Sequence, residues 1–420
     1  MTRTAAPVQA LTVETTPLDD VRQLIPFLEA RSPLLWQRGG EGIAGVGEAV
    51  RLEFSGPTRV RDAADAWRAL SAAASVSDAV GVPGTGLVAF TAFAFADESA
   101  ATSVLIVPAL VIGRRDGRSW LTRISAGADA ASAAPSAPAP APAPAPFGPE
   151  FHLTMTPGEL SAAGYGDAVA AAVERIGAGE LRKVVLSREL HAELPAGADV
   201  RRALVELALG YPDCWTFAVD GFVGASPETL VRVLDGRVDA QVLAGTAARG
   251  TDEDSDATSS ATLASSRKDL AEHAFAVDSV LDALRPHTAG LTAGSPFTLQ
   301  LPNLWHLATD VAGELDDGAS ALDLVDALHP TAAVAGTPTA DALRLIAELE
   351  PFDRGRYAGP VGWIGADGSG EFAVALRSAQ ISESGEVVAY AGGGIVADSD
   401  PVLEVAETTM KFRPIVEAFG

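Results

Sequence analysis

Between about Ala131 and Pro149 the chain alternates alanine with proline, and no other segment restricts its folding so firmly. Proline has no N–H to give a helix or a sheet, and the run lacks the apolar bulk to join a core. An extended, poorly ordered linker is expected, dividing a strand-rich N-terminal portion (1–130) from a C-terminal portion (150–420). The division need not separate domains. An insertion between two strands of one sheet tolerates the same composition, because loop-closure entropy rises slowly with length.

With 420 residues, 48% of them hydrophobic, the chain can bury a large core. A formal charge of −25 and the lack of a Lys/Arg cluster argue against a sequence-independent nucleic-acid binder. An anionic ligand would then need positive charge supplied locally, by Arg, Lys, backbone N–H groups or a bound cation. The single cysteine, Cys214, excludes an internal disulfide and a multi-thiolate metal centre, and a reducing cytoplasm fits it. Met1-Thr2-Arg3-Thr4-Ala5 is not a basic segment leading into an apolar run, so no secretory signal is expected. The most apolar stretches, Leu87–Ala96 and Val104–Ile112, fall short of the ~20 residues of a membrane-spanning helix and read as buried strands.

Helical spacing covers Leu160–Gly177. Strands are expected at Lys183–Arg188, Trp215–Val219, Thr229–Leu234 and Arg237–Val242, the last two joined by a hairpin turn at Leu234-Asp235-Gly236-Arg237. Asp252–Ser266 reads as a polar loop, after which Leu270, Ala274, Val277, Leu281 and Leu284 mark a helix stripe. Strands return at Phe372–Ile381 and Val387–Tyr390, and Asp400-Pro401 opens a final helix with a cap and a first-turn proline. Strands and helices mix without a βαβ rhythm, which favours an α+β fold with largely antiparallel sheets.

Glu404, Glu407 and Lys411 share a face of that final helix, beside an apolar stripe of Leu403, Ala406 and Met410. Two carboxylates one turn apart can grip a hard cation, and a solvated Glu–Lys face explains them equally well. Glu272 is turned away from the stripe begun by Leu270 and by pattern is a surface glutamate. Lys183 is a cation on an apolar strand, on one face with Val185 and Ser187. Burial would lower its proton affinity and suit it to act as a base, whereas at a strand edge its ammonium would stay in water. Arg377 shares a face with Ala373 and Ala375, small residues that leave room for a ligand; an ordinary surface arginine fits too. Leu243-Ala244-Gly245-Thr246-Ala247 and Ala391-Gly392-Gly393-Gly394-Ile395 read as turns, either simple ones or ones whose N–H groups cradle a carboxylate. No phosphate loop, His-Glu-x-x-His helix or Gly-x-Ser-x-Gly elbow is present.

Taken in order, these segments resemble the chorismate-utilising family of anthranilate, aminodeoxychorismate, salicylate and isochorismate synthases. The resemblance runs through KVVLSR (183–188), SPETLV (226–231), LAGT (243–246), KDLAEH (268–273), HLATD (306–310), LHP (328–330), VALRSA (374–379), AGGGIVADSDP (391–401) and ETTMK (407–411). It is strong over about 165–417 and looser upstream, where GLVAFTAFAF and VLIVPALVI are similar to the family's N-terminal strands. It implies one unit over 1–420, a sandwich of two large, mostly antiparallel sheets with helices packed outside, the Ala/Pro run being a disordered insertion. It also implies Mg2+ held by Glu272 and Glu407, with Glu404 acting through water, and chorismate's ring carboxylate held by that ion, Gly245 and Thr246. Arg377, Lys411 and the N–H groups near Gly393 and Gly394 would hold the enolpyruvyl carboxylate, and His306 and Ala333 complete the substrate-binding set. Glu228 matches the acid that protonates the departing ring hydroxyl, and Lys183 the base that activates the attacking water. Free lysine has a pKa near ~10.4 and free glutamate near ~4.3, so each needs its surroundings to move it toward neutrality.

Within the family, anthranilate and aminodeoxychorismate synthases generally carry glutamine where Lys183 stands, because they use ammonia; the lysine points to water. Aminodeoxychorismate synthases also place a lysine at Ala244. Salicylate synthases share Lys183 but have threonine in place of Ala333, which favours stopping at isochorismate. The expectation is a monomer, with neither nucleic-acid nor membrane partners, that converts chorismate reversibly to isochorismate for menaquinone or a catechol siderophore. A salicylate synthase and a non-catalytic chorismate-binding protein are the alternatives.

Overall fold

A computed structural model describes residues 10–126, 142–302 and 304–420, apart from the side chains of Lys268 and Glu272. Among these residues the strands form two sheets, of thirteen and ten strands. All pairs are antiparallel except Leu11–Leu18 with Ser75–Asp78. Both sheets take strands from each side of the Ala/Pro run. In the larger, Trp36 of Leu34–Arg38 lies opposite Phe217 of Trp215–Val219; in the smaller, Phe90 of Val88–Ala92 lies opposite Trp363 of Pro360–Gly365.

The strands are apolar on both faces because the larger sheet is covered on both. Leu34 and Trp36 belong to the core between the sheets, whereas Leu35 turns the other way into a second core beneath the helices Arg201–Gly210 and Pro401–Phe419. A buried carboxylate also ties the layers. Glu371 of the smaller sheet accepts from Trp363 Nε1 at 2.9 Å and, across the gap, from Trp36 Nε1 at 3.2 Å and Arg115 at 2.8 Å.

Two segments expected to be single strands divide between the sheets. Val104–Ile112 is shared by Ser103–Val107 of the smaller sheet and Leu110–Arg115 of the larger. Phe372–Ile381 is shared by Gly370–Val374 of the smaller and Ser378–Ile381 of the larger, with Arg377 between them at a φ of 51°. A third crossing, at Pro227-Glu228, joins Phe222–Ser226 of the larger sheet to Thr229–Leu234 of the smaller. Apolar letters continue through such crossings because one core lies on both sides of them.

Asp252–Ser266 is not a loop but contains the helix Glu253–Ser265. It has no apolar stripe; Asp252 and Ser255 cap it reciprocally, and Asp256 pins it by accepting from Arg249 at 2.6 Å and Trp305 Nε1 at 2.8 Å. The next helix, Arg267–Leu284, buries His273, Ala276, Val280 and Leu284 most deeply; of the expected stripe Val277 and Leu281 are partly buried against the core and Ala274 is exposed. Residues 131–141 of the Ala/Pro run lie outside the described residues. Its C-terminal end departs from a disordered linker by docking: Ala145 N–H donates to Pro26 O at 2.8 Å, Arg201 to Pro146 O at 2.8 Å, and Gly148 N–H to Asp199 at 2.8 Å. No helix among the described residues is long and apolar enough to cross a membrane.

Candidate active site

A cavity of about 490 Å3 opens beside the crossings at Glu228 and Arg377. Every candidate residue named from the sequence lines it except Glu272, whose side chain lies outside the described residues. The two crossings are stitched together, since Val374 N–H donates to Glu228 O and Ala225 N–H to Arg377 O, each at 3.1 Å. Arg377 is therefore not on a strand face with Ala373 and Ala375. Its left-handed backbone, unusual for a residue with a side chain, lets the chain change sheets there. Burial pushes the Glu228 carboxyl up to about 7, against the opposing pull of Lys183, Arg377 and Lys411. Near neutral pH it has a proton to give.

Lys183 opens the strand Lys183–Glu193 and is 8% exposed, so it is not a strand-edge ammonium in bulk water. The strand is fixed from behind by a buried ion pair. Glu350 accepts from Ser187 N–H at 2.7 Å, and Arg354, 2.7 Å from Glu350, donates to Val185 O at 2.6 Å.

Neither glycine segment is a turn. Leu243 lies opposite Ala308 and Thr246 opposite His306, so Ala244 and Gly245 form a bulge facing Leu307 within the strand Arg237–Ala248. Gly245 takes a φ of 84° there, which a side chain would resist. The bulge brings Thr246 Oγ1 within 3.1 Å of His306 Nδ1, and Arg377 Nη2 approaches His306 Nε2 at 3.5 Å. A guanidinium only donates, so Nε2 is the acceptor and Nδ1 carries the proton. Burial, then Arg377 and Lys411, hold His306 down at about 3, leaving a neutral ring.

Ala391–Ile395 is the end of the strand Glu386–Ile395, with Gly394 opposite Val185 and Gly392 opposite Ser187. Its other neighbour, Ser378–Ile381, stops opposite Tyr390. Beyond that point the free edge meets the cavity, and Gly392 O accepts there from Lys411 Nζ at 2.8 Å. In an antiparallel strand a residue's N–H and C=O point the same way, so the N–H groups of Gly392 and Gly394 also face the cavity. The glycines make room: a Cβ on Gly393 would lie 2.8 Å from Glu404 Oε2 and 3.7 Å from Glu407 Oε1.

Asp400 caps the helix Pro401–Phe419, accepting from Val402 N–H at 2.8 Å. That helix buries Thr408, Phe412, Ile415 and Phe419, while the apolar stripe of Leu403, Ala406 and Met410 lines the cavity with Leu403 68% exposed. Glu404, Glu407 and Lys411 do share a face. Ser399 donates to Glu404 Oε1 at 2.8 Å, and Lys411 Nζ lies 2.6 Å from Glu407 Oε1, so Lys411 bridges Glu407 and Gly392 O on the cavity wall. Two carboxylates converging where a Cβ would stand form an oxygen donor set that suits a hard divalent cation. Among the described residues no three His, Cys, Asp or Glu complete a metal site. Asp269, one turn before Glu272 on its helix, lines the wall.

Tyr357 escaped the sequence reading. It stacks on Tyr390 at 5.2 Å, lines the cavity and is pushed up to about 12 by burial, so its hydroxyl keeps its proton. It lies between the helix Thr339–Leu349 and the strand Pro360–Gly365, where no periodicity marks it.

Residues 5–420 match the family model described as chorismate binding enzyme, and the chain belongs to that family. Isochorismate synthase DhbC of Bacillus subtilis is 39% identical over 286 residues, 65% of this chain and 71% of that one. A putative isochorismate synthase MenF of Mycobacterium tuberculosis is 43% identical over 256 residues, 58% of this chain and 68% of that one. The solved structure of the menaquinone-specific isochorismate synthase MenF from Escherichia coli matches with a TM-score of 0.78 at 26% identity, covering 97% of this chain and 94% of that one.

Proposed function

We propose that this chain is an isochorismate synthase, adding water at C2 of chorismate and expelling the C4 hydroxyl in a reversible isomerisation. One observation carries the reading: a single cavity holds both a buried lysine and a glutamic acid poised near neutrality. Lys183 takes a proton from water as the oxygen attacks C2. Glu228 gives its proton to the C4 oxygen as that bond breaks, so water leaves in place of hydroxide. Arg377 and the N–H groups of Gly392 and Gly394 offer positive charge to the enolpyruvyl carboxylate. Gly245 and Thr246, fixed by the bulge and by neutral His306, border the ring-carboxylate end. Mg2+ held by Glu404 and Glu407 together with Glu272 would neutralise that ring carboxylate when bound.

Ala333 adds only a methyl to the wall, which favours release of isochorismate over pyruvate elimination. The product would feed menaquinone or a catechol siderophore. All candidate groups come from one chain, which suits a monomer. Purified protein given chorismate and Mg2+ without ammonia is expected to form isochorismate, resolved by chromatography. Salicylate with pyruvate would move the assignment to salicylate synthase, and binding without turnover would leave a chorismate-binding protein.

A further inference from the structure

A second, smaller void also reaches Glu228. It measures about 10 Å3, room for one water molecule, and its walls include Glu228, Thr229, Gln241 and Thr331. It shares Glu228 and Ala333 with the main cavity. On another side it shares Thr229, Ala240 and Gln241 with a third cavity of about 280 Å3, which reaches the surface at the exposed Arg38 and Asp310. Through these shared walls the three spaces run in series from the surface to Glu228.

Thr331 is the unexplained polar group in this series. The residue is 6% exposed, and its buried hydroxyl has no hydrogen-bond partner among the described residues. Its backbone is fixed, because its carbonyl accepts from Val334 N–H at 3.2 Å and Ala335 N–H at 3.0 Å. The rest of the void's wall is largely apolar, Leu230, Ala240, Val242, Ala276, Val280 and Ala333, so a water of that volume would find its partners in Thr331 and Glu228. The remaining polar walls extend the series. Thr229 Oγ1 accepts from Trp215 Nε1 at 2.8 Å and keeps its own proton to donate, and Gln241 donates to the surface Asp310 at 2.9 Å.

The proposed isomerisation creates a need for such a path. Each forward turnover moves one proton from the attacking water to Lys183 and another from Glu228 to the departing hydroxyl, which leaves as water. Lys183 ends protonated and Glu228 ionised. Before the next turnover one proton must leave the lysine and one must reach the glutamate.

We propose that Thr331 and a single water in this void form a proton-supply path from the surface cavity to Glu228. The proposal rests on the isochorismate synthase reading. The water gives a proton to the Glu228 carboxylate and takes one from water in the surface cavity, so only O–H bonds are exchanged. Thr331 anchors that water and is a positioning residue, since it does not border the main cavity. Glu228 faces Lys183, Arg377, Lys411 and Tyr357 from the main cavity, and the surface cavity adds Arg38, Arg232, Arg237, Asp239 and Asp310.

Thr331→Val keeps the volume and removes the hydroxyl. It is expected to lower kcat on the order of 10-fold at unchanged KM, short of the ~10²–10⁴ supplied by a general acid, and to enlarge the solvent deuterium isotope effect. Thr331→Ser should restore both. Ala240→Val, which fills the void from a different element, should act like Thr331→Val and decides the matter if that variant does not fold. Independently of turnover, the infrared carboxyl band of protonated Glu228, identified by its loss in Glu228→Gln, should shift in Thr331→Val. Unchanged kcat, isotope effect and carboxyl band in both void variants would overturn the path. A wild-type protein that leaves chorismate untouched would sink the isochorismate reading instead, while the infrared band would still decide whether the water and hydroxyl reach Glu228.

Discussion

Glu228 keeps its proton through burial alone: Lys183, Arg377 and Lys411 all favour the charged form and are outweighed. Its folded pKa of about 7 lies above the ordinary 4.5, so between those values the folded protein holds a proton that the unfolded chain has released. The associated stability is intact below pH 4.5 and is lost as pH rises through 7. By pH 8 the ionised carboxyl costs roughly 3 kcal/mol. Glu228→Gln should therefore melt higher than the wild type at pH 8 and close to it at pH 4.5, by calorimetry, while losing turnover by ~10²–10⁴. A lower melting temperature at pH 8 would mean that the ionised carboxylate is stabilised in place. Lys183→Ala should lose turnover by a similar factor with an unchanged circular dichroism spectrum, and near-normal activity would remove lysine from the role of base. Lys183, Glu228 and the Glu404–Lys411 face were legible as family motifs. Their burial was not, and Tyr357 had no local signal because only the fold brings it beside Gly392.

Among the elements, the end of Glu386–Ile395 shows why glycine runs mislead. The letters announce that backbone must come close to something, but a turn and a strand end pressed against a helix read alike until the partner is known. A methyl at Gly393 would press on the tip of Glu404, a flexible side chain and not backbone. Gly393→Ala should thus leave the melting temperature nearly unchanged and raise the Mg2+ concentration needed for half-maximal activity. A magnesium dependence identical to wild type would place the cation elsewhere. The bulge at Ala244-Gly245 was hidden for the same reason, since its shape depends on the register with Leu304–Leu315. The helix Glu253–Ser265 was missed because caps and the Asp256 contacts hold it, and those leave no periodic trace.

At the scale of the molecule, the α+β sandwich was legible from strand-rich letters without βαβ alternation and from the family resemblance. Where the chain passes between layers was not, because Val104–Ile112 and Phe372–Ile381 stay apolar through the crossing. Those passages matter most to the chemistry: two of them bring the acid and the arginine to one gap, beside the lysine strand of the larger sheet and the bulge of the smaller. In the proposed function the whole arrangement serves one step, the attack of an activated water on C2. Chorismate turned over with Mg2+ in H2 18O, with the product weighed by mass spectrometry, tests that step directly. Isochorismate should gain one 18O atom, located at C2, and chorismate recovered after the reverse reaction should carry the label at C4. Isochorismate formed without label would mean that the ring hydroxyl migrates within the substrate, and that Lys183 activates no water.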